Sequence, residues 1–558
     1  MSDQAQPGKR RYFRCNDDFP ECQFAREGKP ICVEPGEQFT CPYKRPRCAE
    51  RATEVPRSVV PPWAWKAAIA TVAALLVGSM LWPSGSGRVD SKVSRPKPIP
   101  VKPTPAAATP AHTVVPPVAT TPPPEVAARV ILRLHGPEGV SSDLLAGLAE
   151  AFLRKEGFAG VETKAGTAPR TRLVRGQRPG ANEPEAIEIK SSREQEAFVR
   201  LAKGECDFAV ALRVPTAEEE TRMSGVVDVN SKACVHVLAL DAPAVIVHKG
   251  NPVESLTTAQ LEAVWKAETD NWAALGGAAT LIQVHLLEAN HPQTELFPSF
   301  LREHLVTRGR VHRHASPKAL ADAVAGTPEA IGVVPMRFIA PARAVAVKSS
   351  ADTQSLMPSQ FTTATEDYAF TRRILLYNAS SHGPVVSQFL RFIASGEGQD
   401  IVGKLGYADQ NLRPRREDLP DLYKRAKDMP AWIIKGLVGA ERLSTNFRFA
   451  TGKSDLDVKA LADIERVVPR LAEQDLRGKQ LLLAGFADSR GGDTTNCPLS
   501  LERARTISRE LQKLGVPAAA AIGLCSALPV APNTDEAGWE KNRRVEIWLL
   551  DVRSPLPK

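Results

Sequence analysis

The sequence predicts an α/β protein of several domains, and three observations lead there. At 558 residues the chain has room for about three or four domains of ordinary size. From Ala127 onward, short apolar runs closed by glycine or polar turns alternate with amphipathic helical patterns, as in layered α/β folds. A second, shorter series of the same kind begins near Ala440, while 12 of the 46 prolines crowd between Pro83 and Pro124, as in a linker. With 43% hydrophobic and 24% charged residues the chain can build ordinary cores, which excludes wholesale disorder and a multi-span membrane protein. The net charge of +9 is spread over the whole length, so nucleic acid is not an expected partner.

Residues 1–60 are poor in hydrophobes and carry Cys15, Cys22, Cys32, Cys41 and Cys48 in the pattern C-x6-C-x9-C-x8-C-x6-C. Thiolates suit zinc, and Cys15, Cys22, Cys41 and Cys48 are the candidate ligands of a small zinc module. No CxxC knuckle is present, so a reducible cysteine-rich tail and a disulfide framework stand beside that reading.

Trp63 to Trp82 is an apolar stretch of about 20 residues, the length of a membrane-spanning helix. Its one charge, Lys66, lies near an end, and Trp63, Trp65 and Trp82 sit at the boundaries that indoles prefer. Five basic residues flank it on each side, and Lys66 tips the balance toward a cytoplasmic N-terminus. The expectation is a single-pass inner-membrane protein with the bulk of the chain in the periplasm. Residues 83–126 follow as a Pro-rich linker in polyproline II, reaching on the order of 130 Å when fully extended.

Residues 127–412 open with the strand-like ARVILRLHG and a helix from about Ser142 to Gly157, with Ser142 as its N-cap and Leu144, Leu148, Ala151 and Phe152 on one face. The strand runs CDFAVALRV and VHVLALDAPAVIVHKG and the helix TTAQLEAVWKAE repeat the pattern. Ligands of such folds sit at the carboxyl ends of strands, where helix N-termini offer backbone N–H groups to anions. The stretches LRLHGPEGVSSDLLAGLAEAFLRKEG, LALDAPAVIVHKGNPVESLTTAQLEAVWKAETDNWAALGG and FLRFIASGEGQDIVGKLGYADQNL resemble the phosphate-type substrate-binding proteins of ABC transporters. The resemblance implies a two-lobed periplasmic-binding-protein fold and a small solute, with an anion such as phosphate as the family's ligand. Pro137, Glu138 and Gly139 stand where the family has hydroxyl residues, and Asn290 to Thr294 stand at a Ser-Gly-Thr turn, which departs from a phosphate site. The candidate ligand residues are Ser141, Ser142, Arg213 and Thr294.

After a charged connector, residues 413–439, residues 440–552 read as strand, helix, strand, helix, strand: a small α/β sandwich. Pro469 interrupts the first helix, and a loop SRGGDTTNCP precedes the second. In the last strand Val545, Ile547 and Leu549 alternate with Arg544, Glu546 and Trp548, which predicts one buried face. Asp488, Asn496, Leu499-Ser500, Arg503-Ala504 and the closing NRRVEI are similar to the OmpA-type peptidoglycan-binding domain. The resemblance implies that Asp488 and Arg503, with Asn496, grip the zwitterionic end of the diaminopimelate stem peptide of peptidoglycan. An ammonium-plus-carboxylate ligand needs one fixed acid and one fixed guanidinium a few ångströms apart. Phe486 and Ala487 replace the family's usual His and Thr.

Cys206, Cys234, Cys497 and Cys525 fall as one pair in each globular region, as either disulfides of an oxidising compartment or buried thiols. No GxSxG elbow, P-loop, HExxH or GxGxxG occurs, and GRVHRH reads as a solvated face, so an enzyme is not expected. The expected function is that of an inner-membrane-anchored envelope protein that binds peptidoglycan and carries a solute-binding domain. The alternative is a structural or signalling tether whose solute-binding domain is degenerate.

Overall fold

The computed structural model describes residues 127–554 apart from 299, 302–309, 417–436, 438, 450–455 and 474–475, together with residue 556 and three short N-terminal strands. Those strands, β1 (Arg11–Cys15), β2 (Ile31–Val33) and β3 (Ala52–Glu54), form an antiparallel sheet in the order β2-β1-β3. The backbone places Cys15 at the end of β1, while Cys22, Cys41 and Cys48, the stretch from Trp63 to Trp82 and the Pro-rich linker to residue 126 lie outside the described residues. Among the described residues no helix is long and apolar enough to cross a membrane.

The central region folds as two lobes. The first holds β4 (Arg129–Gly136), β5 (Ala159–Ala165), β6 (Thr171–Gln177), β7 (Glu185–Ser191), β8 (Phe208–Ala211) and β9 (Val235–Asp241). The second holds β10 (Pro243–Val247), β11 (Ser255–Thr257), β12 (Gln283–Leu287), β13 (Arg310–His314), β14 (Ala330–Pro335), β15 (Arg343–Ala344) and β16 (Ala346–Lys348), after which β17 (Arg372–Asn378) returns to the first lobe. The sheet orders are β5-β6-β7-β4-β8-β17-β9 and β13-β12-β14-β10-β15. The chain thus crosses between the lobes twice, which leaves a cleft along their boundary.

Apolar spacing accounts for the layers. Leu148, Ala149, Phe152 and Leu153 of the helix Ala146–Lys155 are buried, and Phe152 meets Phe389 edge-on at 5.3 Å. Ser142 is no N-cap, because helical turns begin earlier, at Glu138, and its hydroxyl instead donates to the Glu138 carbonyl at 3.1 Å. The helix Thr258–Trp265 carries a capping box of Thr257 and Gln260. Trp272 is buried and donates to the Glu329 carbonyl at 2.8 Å, so this part of the family-like stretch serves packing.

The C-terminal domain has strands β18 (Pro414–Arg416), β19 (Glu441–Arg448), β20 (Lys479–Gly485), β21 (Ala520–Gly523) and β22 (Arg544–Asp551), in the order β18-β19-β22-β20-β21. The helices Val458–Leu471 and Asp493–Lys513 cover one face, burying Ile464, Val467, Ala504, Ile507 and Leu511. Pro469 sits in the last turn of the first helix without ending it, and the second starts at Asp493, inside the stretch expected to be loop. The close approach of that helix requires Gly485, where an added Cβ would lie 2.0 Å from the Ser500 carbonyl oxygen.

The expectation of one buried face is corrected: Arg544, Glu546 and Trp548 are as buried as Val545 and Ile547. Their side of the sheet is covered by the segment Thr365–Tyr368 of the central region and by Leu437, Phe486 and Leu524. Asp367 receives Arg442 at 2.8 Å and Asn446 at 2.8 Å, and Glu366 receives Arg448 at 3.0 Å and Arg373 at 2.9 Å. Arg373 also reaches Asp457 at 2.7 Å. Burial raises the Glu366 and Asp367 carboxyls, but the guanidinium charges around them more than reverse this and hold both below their ordinary values. A carboxyl lowered in the folded state stabilises the fold at neutral pH, and that stability is lost as pH falls below the unfolded value, 4.5 for Glu366.

Arg448→Ala removes one of the two guanidiniums that hold the buried Glu366, together with the bonds to the Thr365 and Glu366 carbonyls, and is expected to destabilise the protein by about 3 kcal/mol at pH 7, read from denaturant unfolding. The deficit relative to wild type should shrink as pH is lowered below about 4.

Candidate functional site

The turn after β20 is held on both sides. The Phe486 N–H donates to the Arg544 carbonyl at 2.8 Å and the Ala487 N–H to the Cys525 carbonyl at 2.7 Å, which sets Asp488 at the sheet's end. Asp488 is 6% exposed and accepts from the backbone N–H of Arg490 at 2.9 Å, from its Nε at 3.2 Å and Nη2 at 3.1 Å, and from Arg543 Nη1 at 3.1 Å. Burial raises its carboxyl, and the bonds from Arg490 and Arg543 outweigh that to hold it below the ordinary range. Arg490 lies 4.2 Å from the Trp539 ring, and Glu536 accepts from Arg543 at 2.7 Å.

Arg503 projects from the long helix beneath this turn. It is 6% exposed, donates through Nη1 to the Phe486 carbonyl at 3.3 Å, and its Nε has no hydrogen-bond partner among the described residues. Burial and the neighbouring Arg543 and Arg490 charges pull it down to about 10, with Asp488 acting the other way. Asn496, in the first turn of the same helix, donates to the carbonyls of Asp488 and Gly491, each at 3.0 Å, and therefore shapes the turn. The Cys497–Cys525 disulfide ties this helix to the strand-end loop, closing a separation of 28 residues. The structure thus gathers Asp488, Asn496 and Arg503 as the sequence predicted. It adds Arg490 and Arg543, the latter inside the NRRVEI motif but not singled out there.

The anion site predicted in the central region is not assembled. Arg213 forms a bidentate pair with Glu219 at 2.6 and 2.8 Å and a further bond to Glu194 at 2.9 Å, so its charge is spent within its own lobe. The Ser141 hydroxyl donates to the Gly136 carbonyl at 3.2 Å, Ser142 is exposed, and Thr294 donates to the His291 carbonyl at 2.7 Å. Thr294 lines a small apolar pocket with Trp265 and Phe297, away from Arg213. The Gly139 N–H is taken by Glu295 Oε2 of the second lobe at 3.1 Å. Arg337 to Asp143 at 2.7 Å and Gln293 to the Gly139 carbonyl at 3.1 Å also cross the boundary. Cys206 and Cys234 are buried free thiols, which settles the alternative left open for that pair.

Residues 174–397 match the model of the PBP superfamily domain, and residues 448–543 match that of the OmpA family. The peptidoglycan-associated lipoprotein of Pseudomonas aeruginosa is 33% identical over 112 residues, 19% of this chain and 64% of that protein. The peptidoglycan-binding protein ArfA of Mycobacterium tuberculosis is 39% identical over 70 residues, 12% of this chain and 22% of that protein. The chain thus spans less than two thirds of the length of these curated relatives. An ABC-type phosphate transport receptor from Vibrio cholerae is 19% identical, covering 50% of this chain and 98% of its own, with a TM-score of 0.37. By the two family models the chain carries a PBP-like domain followed by an OmpA domain.

Proposed function

We propose that this chain, a PBP-like domain joined to an OmpA domain, is a cell-envelope protein that grips peptidoglycan at Asp488 and Arg503 and is not an enzyme. The observation that carries the reading is the state of Arg503: a guanidinium 6% exposed, with no carboxylate partner and an unbonded Nε among the described residues, beside an acid at the end of a sheet. Leaving a buried cation unpaired is costly, and a ligand carboxylate removes that cost by supplying charge and acceptors together. The ammonium of the same diaminopimelate end is matched by Asp488, and Arg490, whose side chain is 43% exposed, yields its place there. The names of the two relatives that match this segment support the ligand class.

In this reading Trp63 to Trp82 anchors the chain in the inner membrane, the N-terminus is cytoplasmic and the linker carries both domains into the periplasm. Cys15, Cys22, Cys41 and Cys48 are there the candidate ligands of zinc. The PBP-like domain is a solute receptor, a reading supported over the degenerate tether by the cavity of about 700 Å³ that persists at the lobe boundary.

Pelleting with purified sacculi tests the grip. Wild type should sediment, while Asp488→Asn and Arg503→Lys, folded by circular dichroism, should lose binding by about tenfold or more, since lysine lacks the bidentate fork. Retention of full binding by both would remove the assignment. Arg490→Ala should bind at least as well as wild type.

A further inference from the structure

The cleft at the lobe boundary is not shaped for a lone phosphate ion. The Gly139 N–H is occupied by Glu295, Pro137 has no N–H, and Arg213 is saturated by Glu194 and Glu219. What remains is the cavity of about 700 Å³, which continues past Ser192 and Arg193 into a second of about 350 Å³. Its wall comes from the β5–β6 hairpin, the end of β7 and the start of the helix Glu194–Ala202, with Asn290, Pro292 and Glu295 facing from the second lobe.

This wall is cationic. Lys164, Arg170, Arg172 and Arg193 line it against the carboxylates Glu138 and Glu295. Arg172 is paired with Glu138 at 2.7 Å, and Glu295 is bonded to Gly139. Among the described residues, Arg170 and Arg193 have no side-chain hydrogen bond or ion pair. Arg170 is held at φ 56, a left-handed backbone conformation that non-glycine residues seldom adopt. Between them lies Ser192, 9% exposed, lining both cavities, with a hydroxyl that has no partner. A buried hydroxyl left unbonded is unfavourable until a ligand supplies an acceptor.

We propose that the PBP-like domain binds an organic anion larger than phosphate, with at least two acidic groups, in the cleft lined by Arg170, Arg172, Ser192 and Arg193. The volume suits a ligand of sugar-phosphate or polycarboxylate size, and the two unpaired guanidiniums fix separate acidic groups while Ser192 sets the register. The inference rests on the reading of this domain as a solute receptor and is independent of the wall grip.

Calorimetry on the full chain with fructose 1,6-bisphosphate, citrate and inorganic phosphate tests it, with wild type beside Arg170→Ala/Arg193→Ala and Ser192→Ala. At least one organic probe should bind, inorganic phosphate should not, and the double variant should weaken binding by about tenfold or more at an unchanged melting temperature. The two organic probes separate phosphoryl from carboxylate recognition. Phosphate binding as tightly as either organic probe would overturn the ligand class while leaving a receptor. Binding by none of the three would overturn the receptor reading as well, and full affinity in the double variant would misplace the site. Sedimentation of the same variants with sacculi should stay at the wild-type level in every case.

Discussion

Glu366 and Asp367 enter the face of the OmpA sheet as two buried carboxylates and meet Arg373, Arg442 and Arg448 there. Burying these charges is expensive, and they remain charged only because each carboxylate is paired and hydrogen-bonded at the same time. Such a layer tolerates little relative movement, since any shift strands a charge in a dry interface. It therefore couples the PBP-like domain and the OmpA domain, with both faces of the terminal sheet covered. Adjacent residues extend the connection: Arg373 belongs to the ionic layer, while Arg372 donates to the Glu295 carbonyl at 2.7 Å and the Phe297 carbonyl at 3.2 Å in the second lobe. The segment that meets the wall domain thus also braces the cleft.

The two binding regions share one electrostatic device. In each, a cationic group is left without a carboxylate of the protein's own: Arg503 below the turn of Asp488, and Arg170 with Arg193 at the lobe boundary. Other arginines are matched with acids, as Arg213 is with Glu219 and Arg544 is with Glu546 at 2.9 Å. Desolvation penalises the buried Arg503, whereas Arg170 and Arg193 stand exposed at the cleft wall. In the OmpA domain the same site also holds an acid, Asp488, which under the proposed function matches a zwitterion. In the cleft Glu138 and Glu295 are engaged internally, which under the proposed inference matches an anion.

Much of the fold was legible in the sequence, because apolar periodicity and capping are local. The helix Thr258–Trp265, with its capping box of Thr257 and Gln260, follows from its own residues. The gathering of Asp488, Asn496 and Arg503 was legible for the same reason: they lie within 16 residues on a turn and the helix after it. The polar face of β22 misled, because Arg544 and Glu546 look solvated until a partner from about 180 residues earlier covers them. Arg213 misled in the opposite direction, since its two acids lie on separate elements. The Ser191-Ser192-Arg193 step between a strand and a helix carried the signal for the cleft, but the hydroxyl's isolation is visible only in three dimensions.

The most direct measurement of the central claim is calorimetric titration of the full chain with a stem tripeptide ending in meso-diaminopimelate, beside its lysine counterpart, which lacks the side-chain carboxylate. The account predicts that the diaminopimelate peptide binds and that the lysine peptide binds at least about tenfold more weakly, a difference of ~1.4 kcal/mol or more. Equal affinity for the two peptides would contradict it, because Arg503 would then not be reading the carboxylate.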